Sequence, residues 1–274
     1  MGDGKERDFQ YQSITVQGCK KAMKLLKFSA AILFIVVMLG HTASVSAAKV
    51  TKESIVSAGK KRTYYLFVPE NLSASKPLPL IVLLHGSNRN GLSLMDKWKE
   101  LAEKEGIILA GPDSSTSAGW ATPVDGPDFL RDLVEGLKAK YPVNPRRVYL
   151  FGHSAGAGHA LFMSLFESLY FAAAAVHAGA LLPNDYDTID LAKRKIPLAI
   201  WTGTIDALVP LVAVRATRDA MNARGFSVQL TEIAGHDHWY YDMAPKINKE
   251  AWEFLKKYEL TEDPQYIQYN FSKK

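Results

Sequence analysis

The sequence predicts an α/β protein: a mostly parallel central sheet of about eight strands, with helices on both faces. Two observations carry that expectation. Short runs rich in Val, Ile, Leu and Ala alternate along the chain with longer segments of helical periodicity. The runs are also almost continuously apolar, as strands covered on both faces must be. Segments 54–58 and 63–68 read as a first strand pair, joined by a turn at 59–61. The run 80–84 is the first buried central strand. Leu94, Met95, Trp98, Leu101 and Ala102 then make an apolar helical stripe that stops at Gly106. Strand 107–110 follows. A second stripe of Phe129, Leu130, Leu133, Val134, Leu137 and Tyr141 ends before Pro142. Strand 147–151 and helix 155–169 come next, then strands near 171–177, 197–203 and 227–233. Helices near 211–224 and 243–258 complete the pattern, and the polar, aromatic tail past Leu260 is expected to wrap the surface. Repeats and low-complexity linkers are absent, so residues 49–274 read as one domain.

Between the strand 147–151 and the helix that follows stand Gly152-His153-Ser154-Ala155-Gly156. A Gly-x-Ser-x-Gly alone is a common turn. On a sharp strand-to-helix corner it presents the serine as a nucleophile, and the tight corner requires small residues two positions either side. A serine hydroxyl is a weak nucleophile at neutral pH, so it needs a base and a third group to orient that base. Asp206 lies just past the strand near 197–203, where a carboxylate can reach above the sheet. Asp185, Asp187 and Asp190 sit in a polar connection with no strand before them. Two histidines compete for the base in Gly235-His236-Asp237-His238-Trp239-Tyr240-Tyr241. Spacing leaves both open, although His238, three residues past Gly235, has the longer reach. Metal binding by His236, Asp237 and His238 is a weaker alternative, because no other histidine or cysteine stands at familiar ligand spacing. His85, His153, His159 and His177 are expected to play structural parts.

The chain resembles the carbohydrate-esterase-type branch of the α/β-hydrolases, which holds poly(3-hydroxybutyrate) depolymerase-like proteins and feruloyl esterases. The similarity runs over about residues 53–258. Its most specific stretches are Leu83-Leu84-His85-Gly86 and the segment from Tyr141-Pro142-Val143-Asn144-Pro145 to Gly156. The resemblance implies a serine esterase with nucleophile, acid and base at Ser154, Asp206 and the 235–238 segment. Gly-His-x-Trp, common in depolymerases and feruloyl esterases, would select His236, but Trp239 falls one residue late for it. Asp237-His238-Trp239-Tyr240-Tyr241 matches the Asp-His-x-Tyr-Tyr arrangement of esterase D-type thioesterases in step, which selects His238. The oxyanion-hole loop of this architecture falls at Ser87, whose backbone N–H would act with that of Ala155. The connection 179–195 is too short for a large lid. Trp120, Tyr186, Trp239 and Tyr240 are loop aromatics expected at the rim, able to stack on a phenolic acid or sugar, or simply to pack. The expected substrate is a small or polymeric carboxylic ester, with no metal or organic cofactor. A serine peptidase or acyltransferase on the same triad, and a silent binding protein on the same fold, are the competing readings.

Residues 1–48 change how the composition is read. Lys24 and Lys27 precede an uncharged apolar stretch at 28–39, and Ser44-Val45-Ser46-Ala47-Ala48 follows. That order is a secretory signal peptide, with its core at about 23–47 and Met23 as an alternative start. The apolar centre is shorter than the ~20 residues of a membrane span, so cleavage is expected over anchoring. Export to the periplasm or outside the cell follows, with no stable membrane association after cleavage. The only cysteine, Cys19, lies in this leader, which excludes a disulfide framework and a thiol mechanism from the remainder. Without the leader's six basic and three acidic residues the formal charge drops from +5 to +2, which gives no argument for a nucleic-acid partner.

Overall fold

A computed structural model describes residues 49–70, 72 and 76–267. The expected leader at 1–48 lies outside the described residues. The described residues cluster as one compact unit. Eight strands form one sheet: β1 (Thr51–Ser57), β2 (Lys60–Phe67), β3 (Leu78–Leu84), β4 (Ile108–Pro112), β5 (Val143–His153), β6 (Ala173–His177), β7 (Leu198–Gly203) and β8 (Val228–Ile233). Their spatial order is β1-β2-β4-β3-β5-β6-β7-β8. The β1–β2 and β2–β4 pairs are antiparallel, and every later pair is parallel. The β1–β2 turn closes at Ala58-Gly59, one residue earlier than expected. Both residues have positive φ, and Ser57 pairs directly with Lys60.

Five helices cover the sheet: α1 (Gly91–Glu105), α2 (Pro127–Lys138), α3 (Ala155–Phe166), α4 (Leu211–Asn222) and α5 (Tyr240–Leu255). Strand alternation decides which faces they meet. Leu80, Val82 and Leu84 of β3, with Val148 and Leu150 of β5, point into the core beneath α2, α3 and α4. Ile81, Leu83, Tyr149 and Phe151 point the other way, beneath α1 and α5. Each central strand is therefore buried on both faces, which accounts for the unbroken apolar runs in the sequence. The α2 stripe packs Phe129, Leu130, Leu133, Val134 and Leu137, and α1 packs Leu94, Met95, Trp98 and Ala102.

Two helix boundaries differ from those expected. Helix α3 ends at Phe166 because Glu167 leaves helical geometry, with φ −112 and ψ 43. Helix α5 begins at Tyr240, three residues before the expected start, since its buried stripe of Ala244, Ile247, Ala251 and Leu255 extends back to that tyrosine. The 179–195 connection contains a 3₁₀ segment, Pro183–Leu191, with Ile189 buried in the core. The tail lies along the surface: Leu260 N–H donates to the Arg146 carbonyl at 3.0 Å and Gln265 N–H to that of Leu169 at 3.1 Å. Among the described residues no helix is long and apolar enough to cross a membrane.

Candidate active site

The corner from β5 to α3 holds Ser154 at φ 56 and ψ −120, a conformation that costs a non-glycine residue about 1–3 kcal/mol. Close packing and hydrogen bonds maintain it. A Cβ on Gly152 would lie 2.3 Å from the Gly156 carbonyl oxygen, and one on Gly156 would lie 1.9 Å from that of Leu84. Ser154 N–H donates to the His177 carbonyl at 3.0 Å, while the Ser154 carbonyl accepts from Ala157 and Gly158. The small residues of the motif are thus required by backbone contact, and the strained serine is displayed above the sheet.

Asp206 and the histidines arrive on two loops fastened to each other. Ile205 N–H donates to the His236 carbonyl at 3.1 Å, Thr204 N–H to the Ile233 carbonyl at 3.0 Å, and Gly235 N–H to Thr204 Oγ1 at 2.9 Å. Gly203 lies so close that a Cβ there would meet the His236 carbonyl oxygen at 2.0 Å. Gly235, at φ 68, turns the chain back over the sheet. His238 then projects to Ser154, its Nε2 2.8 Å from Oγ, and its Nδ1 lies 2.7 Å from Asp206 Oδ2. The other carboxylate oxygen, Oδ1, accepts from the N–H groups of Leu208 and Val209 at 2.9 and 2.8 Å. The Asp206 side chain is fully buried and that of His238 is 16% exposed. A fully hydrogen-bonded carboxylate thus holds the Nδ1–H tautomer and leaves Nε2 to accept the serine proton.

His236 turns the opposite way. Its Nε2 lies 3.1 Å from His177 Nε2, and His177 Nδ1 lies 3.0 Å from His153 Nδ1. Burial, together with the neighbouring His238, pushes His153 down to about 3; burial and His153 push His177 down to about 2. Both rings are neutral at ordinary pH. The His153 ring lies 5.1 Å from that of His238 and 5.3 Å from that of Tyr240, so it packs against both. His236 and His238 therefore face separate partners, and among the described residues no three His, Cys, Asp or Glu side chains converge to hold a metal ion.

The loop after β3 lies against the serine: a Cβ on Gly86 would be 3.3 Å from Ser154 Cβ. Ser87 lines the same cavity as Ser154, with its Oγ donating to the Ala118 carbonyl at 2.7 Å. Ala155 opens α3, so its N–H has no acceptor within the helix. His85 is a structural pin: Nδ1–H donates to the Gly86 carbonyl and Nε2 accepts from Ser114 N–H, while burial lowers its basicity. Beneath, the buried carboxylate of Asp125 pairs with Arg62 at 2.5 Å and accepts from Ser115 N–H, Ser115 Oγ and Ala121 N–H. His159 bonds the Asp125 carbonyl, and burial lowers it to about 4. Nothing in the local sequence pairs Arg62 with Asp125; β2 carries Arg62 to the loop that follows β4, where it also donates to the Asp113 carbonyl.

The cavity at Ser154 has a volume of ≈ 830 Å³. Of the four aromatics expected at its rim, Trp239 is there and 44% exposed. Tyr240 is fully buried, its hydroxyl bonded to Asn248, because it is the first core residue of α5 rather than a loop residue. Trp120 packs under the oxyanion loop, stacked on His159 with its Nε1 donating to the His85 carbonyl. Tyr186 packs on the core from the 3₁₀ segment. Tyr241, Arg89, Ile205 and Leu208, which the sequence did not single out, line the mouth instead. A second cavity, of ≈ 600 Å³ between α5 and the β7–β8 edge, is lined by Lys246, Lys249, Glu250 and Glu253 and lies apart from Ser154.

Sheet order, elbow and the Ser154–His238–Asp206 line define an α/β-hydrolase of serine-hydrolase design. More narrowly, the chain belongs to the Esterase family, described as "Putative esterase", whose profile matches residues 55–253. It is 29% identical over 104 residues to a bifunctional acetylxylan esterase/xylanase of Neocallimastix patriciarum, a match spanning 36% of this chain and 15% of the other. The chain thus corresponds to a small part of that relative. Among solved structures it is similar to the fluorophosphonate-binding serine hydrolase F of Staphylococcus aureus, with TM-score 0.66 and 16% identity, covering 77% of this chain and 99% of that one. It is likewise similar to a ferulic acid esterase from Anaeromyces mucronatus, with TM-score 0.60 and 16% identity, covering 78% and 93%. At such identities these two likenesses show the fold alone.

Proposed function

We propose that this protein hydrolyses carboxylic esters through an acyl-enzyme on Ser154. The single observation that carries this reading is the unbroken hydrogen-bonded line from Ser154 Oγ through His238 to buried Asp206, in a member of an esterase family. His238 takes the hydroxyl proton as Oγ attacks the ester carbonyl. The N–H groups of Ser87 and Ala155 hold the oxyanion, where one lost donor typically costs ~2.7–4 kcal/mol of barrier. Collapse expels the alcohol, which receives the proton from His238. Water then adds to the acyl group, His238 takes its proton, and the carboxylic acid leaves with Ser154 restored.

The preferred esters on this reading are phenolic, acetyl, carbohydrate-borne or short hydroxyacyl esters. The likeness to an acetylxylan esterase/xylanase supports it, as does a 179–195 connection of which no residue lines the cavity. Long-chain triglycerides are disfavoured: rates with 4-nitrophenyl esters should fall with acyl length, and an oil interface should not raise them. The decisive test is Ser154→Ala. Activity on 4-nitrophenyl acetate and methyl ferulate should drop ~10⁶-fold, and labelling by a fluorophosphonate probe should vanish. A folded Ser154→Ala variant that keeps more than a trace of activity overturns the assignment. Export through a cleaved leader is part of the same proposal, and mass spectrometry of exported protein should find a start near Ala48. A start at Met1 or Met23 would point to an uncleaved anchor or an intracellular enzyme.

A further inference from the structure

Arg89 stands two residues past Ser87, on the loop that lines the cavity beside Ser154. Its guanidinium lies 5.2 Å from the centre of the Trp239 ring and 5.3 Å from that of Tyr241. Two aromatic rings, tilted 56° to each other, flank the cation, and such contacts leave the N–H donors around the edge of a guanidinium free to bond elsewhere. Among the described residues no carboxylate pairs with it. The other charged side chain at the mouth, Asp237, is turned to its own loop, where Oδ1 accepts from Trp239 N–H at 2.7 Å. Two exposed apolar side chains line the same cavity, Ile205 at 63% and Leu208 at 75% exposure. The mouth therefore combines a cation held beside two rings with apolar and aromatic side chains.

We infer that Arg89 is a specificity determinant for esters that carry a carboxylate on an apolar or aromatic body. The inference rests on the hydrolytic reading above and deepens it. A planar guanidinium recognises a carboxylate with paired hydrogen bonds, and Arg89 is exposed at the cavity mouth, where an incoming carboxylate can reach it. Arg89 bridges the oxyanion loop and the loop bearing His238, so the carboxylate can belong to the acyl part or to the alcohol part. Chemistry is the same in both cases: Ser154 is acylated and the bound carboxylate takes no part in bond making.

Two anionic esters separate the sides: mono(4-nitrophenyl) glutarate carries its charge on the acyl part, and 4-acetoxybenzoate carries it on the alcohol. Each is compared with its neutral primary amide. The readout is the anionic-to-neutral ratio of kcat/KM. For at least one pair, Arg89→Gln should lower that ratio about tenfold, equivalent to ~1.4 kcal/mol, and Arg89→Lys should recover part of it. The wild-type ratio should also fall with added NaCl as the Debye length shrinks from ~10 Å at 0.1 M to ~3 Å at 1 M. A ratio that Arg89→Gln leaves within twofold for both pairs overturns the inference. Calorimetry of the same anionic esters on Ser154→Ala protein tests Arg89 apart from catalysis. Ser154-dependent cleavage without charge preference sinks Arg89 and leaves the hydrolytic reading standing. Arg89-dependent binding without any cleavage sinks the hydrolytic reading and leaves Arg89.

Discussion

Two strings of hydrogen-bonded side chains run side by side above the carboxyl ends of β5 to β8, and only one contains a carboxylate. Ser154, His238 and Asp206 form the first; His153, His177 and His236 form the second. Burial acts on both. In the second string burial outweighs what opposes it, which for His153 includes the more distant Asp206 charge, so His153 and His177 are driven down to about 3 and 2 and remain neutral. In the first, the fully buried carboxylate of Asp206 faces His238 Nδ1 at 2.7 Å. The contrast teaches that, for the proposed mechanism, histidine content does not single out a base; the position of the carboxylate does.

The comparison breaks most sharply at the first string. His238→Ala should cost about as much as removing the serine, ~10⁶ in kcat, and Asp206→Asn ~10⁴ through the wrong tautomer. His236→Ala, in the second string, should cost less than about tenfold, an order set by indirect loop support alone. Steady-state kinetics on 4-nitrophenyl acetate decides it: a dead His236→Ala beside an active His238→Ala would exchange the two strings. Gly203→Ala comes next. Its methyl would meet the His236 carbonyl oxygen at 2.0 Å and push the base-bearing loop. Activity should drop up to ~10²-fold and stability by about 1–3 kcal/mol, read by kinetics and urea unfolding. Normal kinetics in that variant would mean the loop is not seated by this contact.

Smaller effects come from titration. His153, His177 and His159 have folded-state values depressed to about 3, 2 and 4. Between these values and the ordinary 6.5, the unfolded chain binds more protons than the folded one. Their contribution is thus fully present above pH 6.5 and lost as pH falls, by up to ~1.4 kcal/mol per pH unit for each histidine. Urea unfolding from pH 7 to 4 should show that decline, and His177→Gln should make it shallower; an equally steep variant would locate the acid sensitivity elsewhere. Glu167 is the counter-example to Asp206. One oxygen accepts Ile267 N–H while the other is buried without a partner among the described residues, and burial raises the carboxyl to about 7. A raised carboxylate value carries the opposite sign: stability is present below about 4.5 and lost as pH rises through 7. Glu167→Gln should therefore gain about 1 kcal/mol above pH 7, or ~2–4 °C in Tm, with little change near pH 4.5. No gain at pH 8 would show that water or the tail satisfies that oxygen.

The sequence by itself determined the strands, the helices and the elbow. Runs such as Leu80–Leu84 and Arg147–Phe151 have one stable placement, buried on both faces, and the alternation with helical stripes then requires a parallel sheet. The residues flanking Ser154 were equally legible, because a corner that tight excludes any Cβ at Gly152 and Gly156. Asp206 could be read from its place after β7, since a residue just past a parallel strand must emerge at the carboxyl edge. Residues whose roles depend on contacts across the chain were not legible. His236 and His238 are two positions apart, and the turn at Gly235 together with the Gly203 approach decides which one swings to Ser154. Tyr240 read as a loop aromatic because its helical register becomes visible only once α5 is laid on the core. The Arg62–Asp125 pair joins residues far apart in sequence that touch where the loop between β4 and α2 meets β2. Arg89, unremarkable in the sequence, gains its setting from Trp239 and Tyr241, brought to it by the same folding of the β8–α5 loop. Local sterics and hydrophobic period are written along the chain, whereas side-chain partners separated by whole elements are chosen by the packing of the sheet.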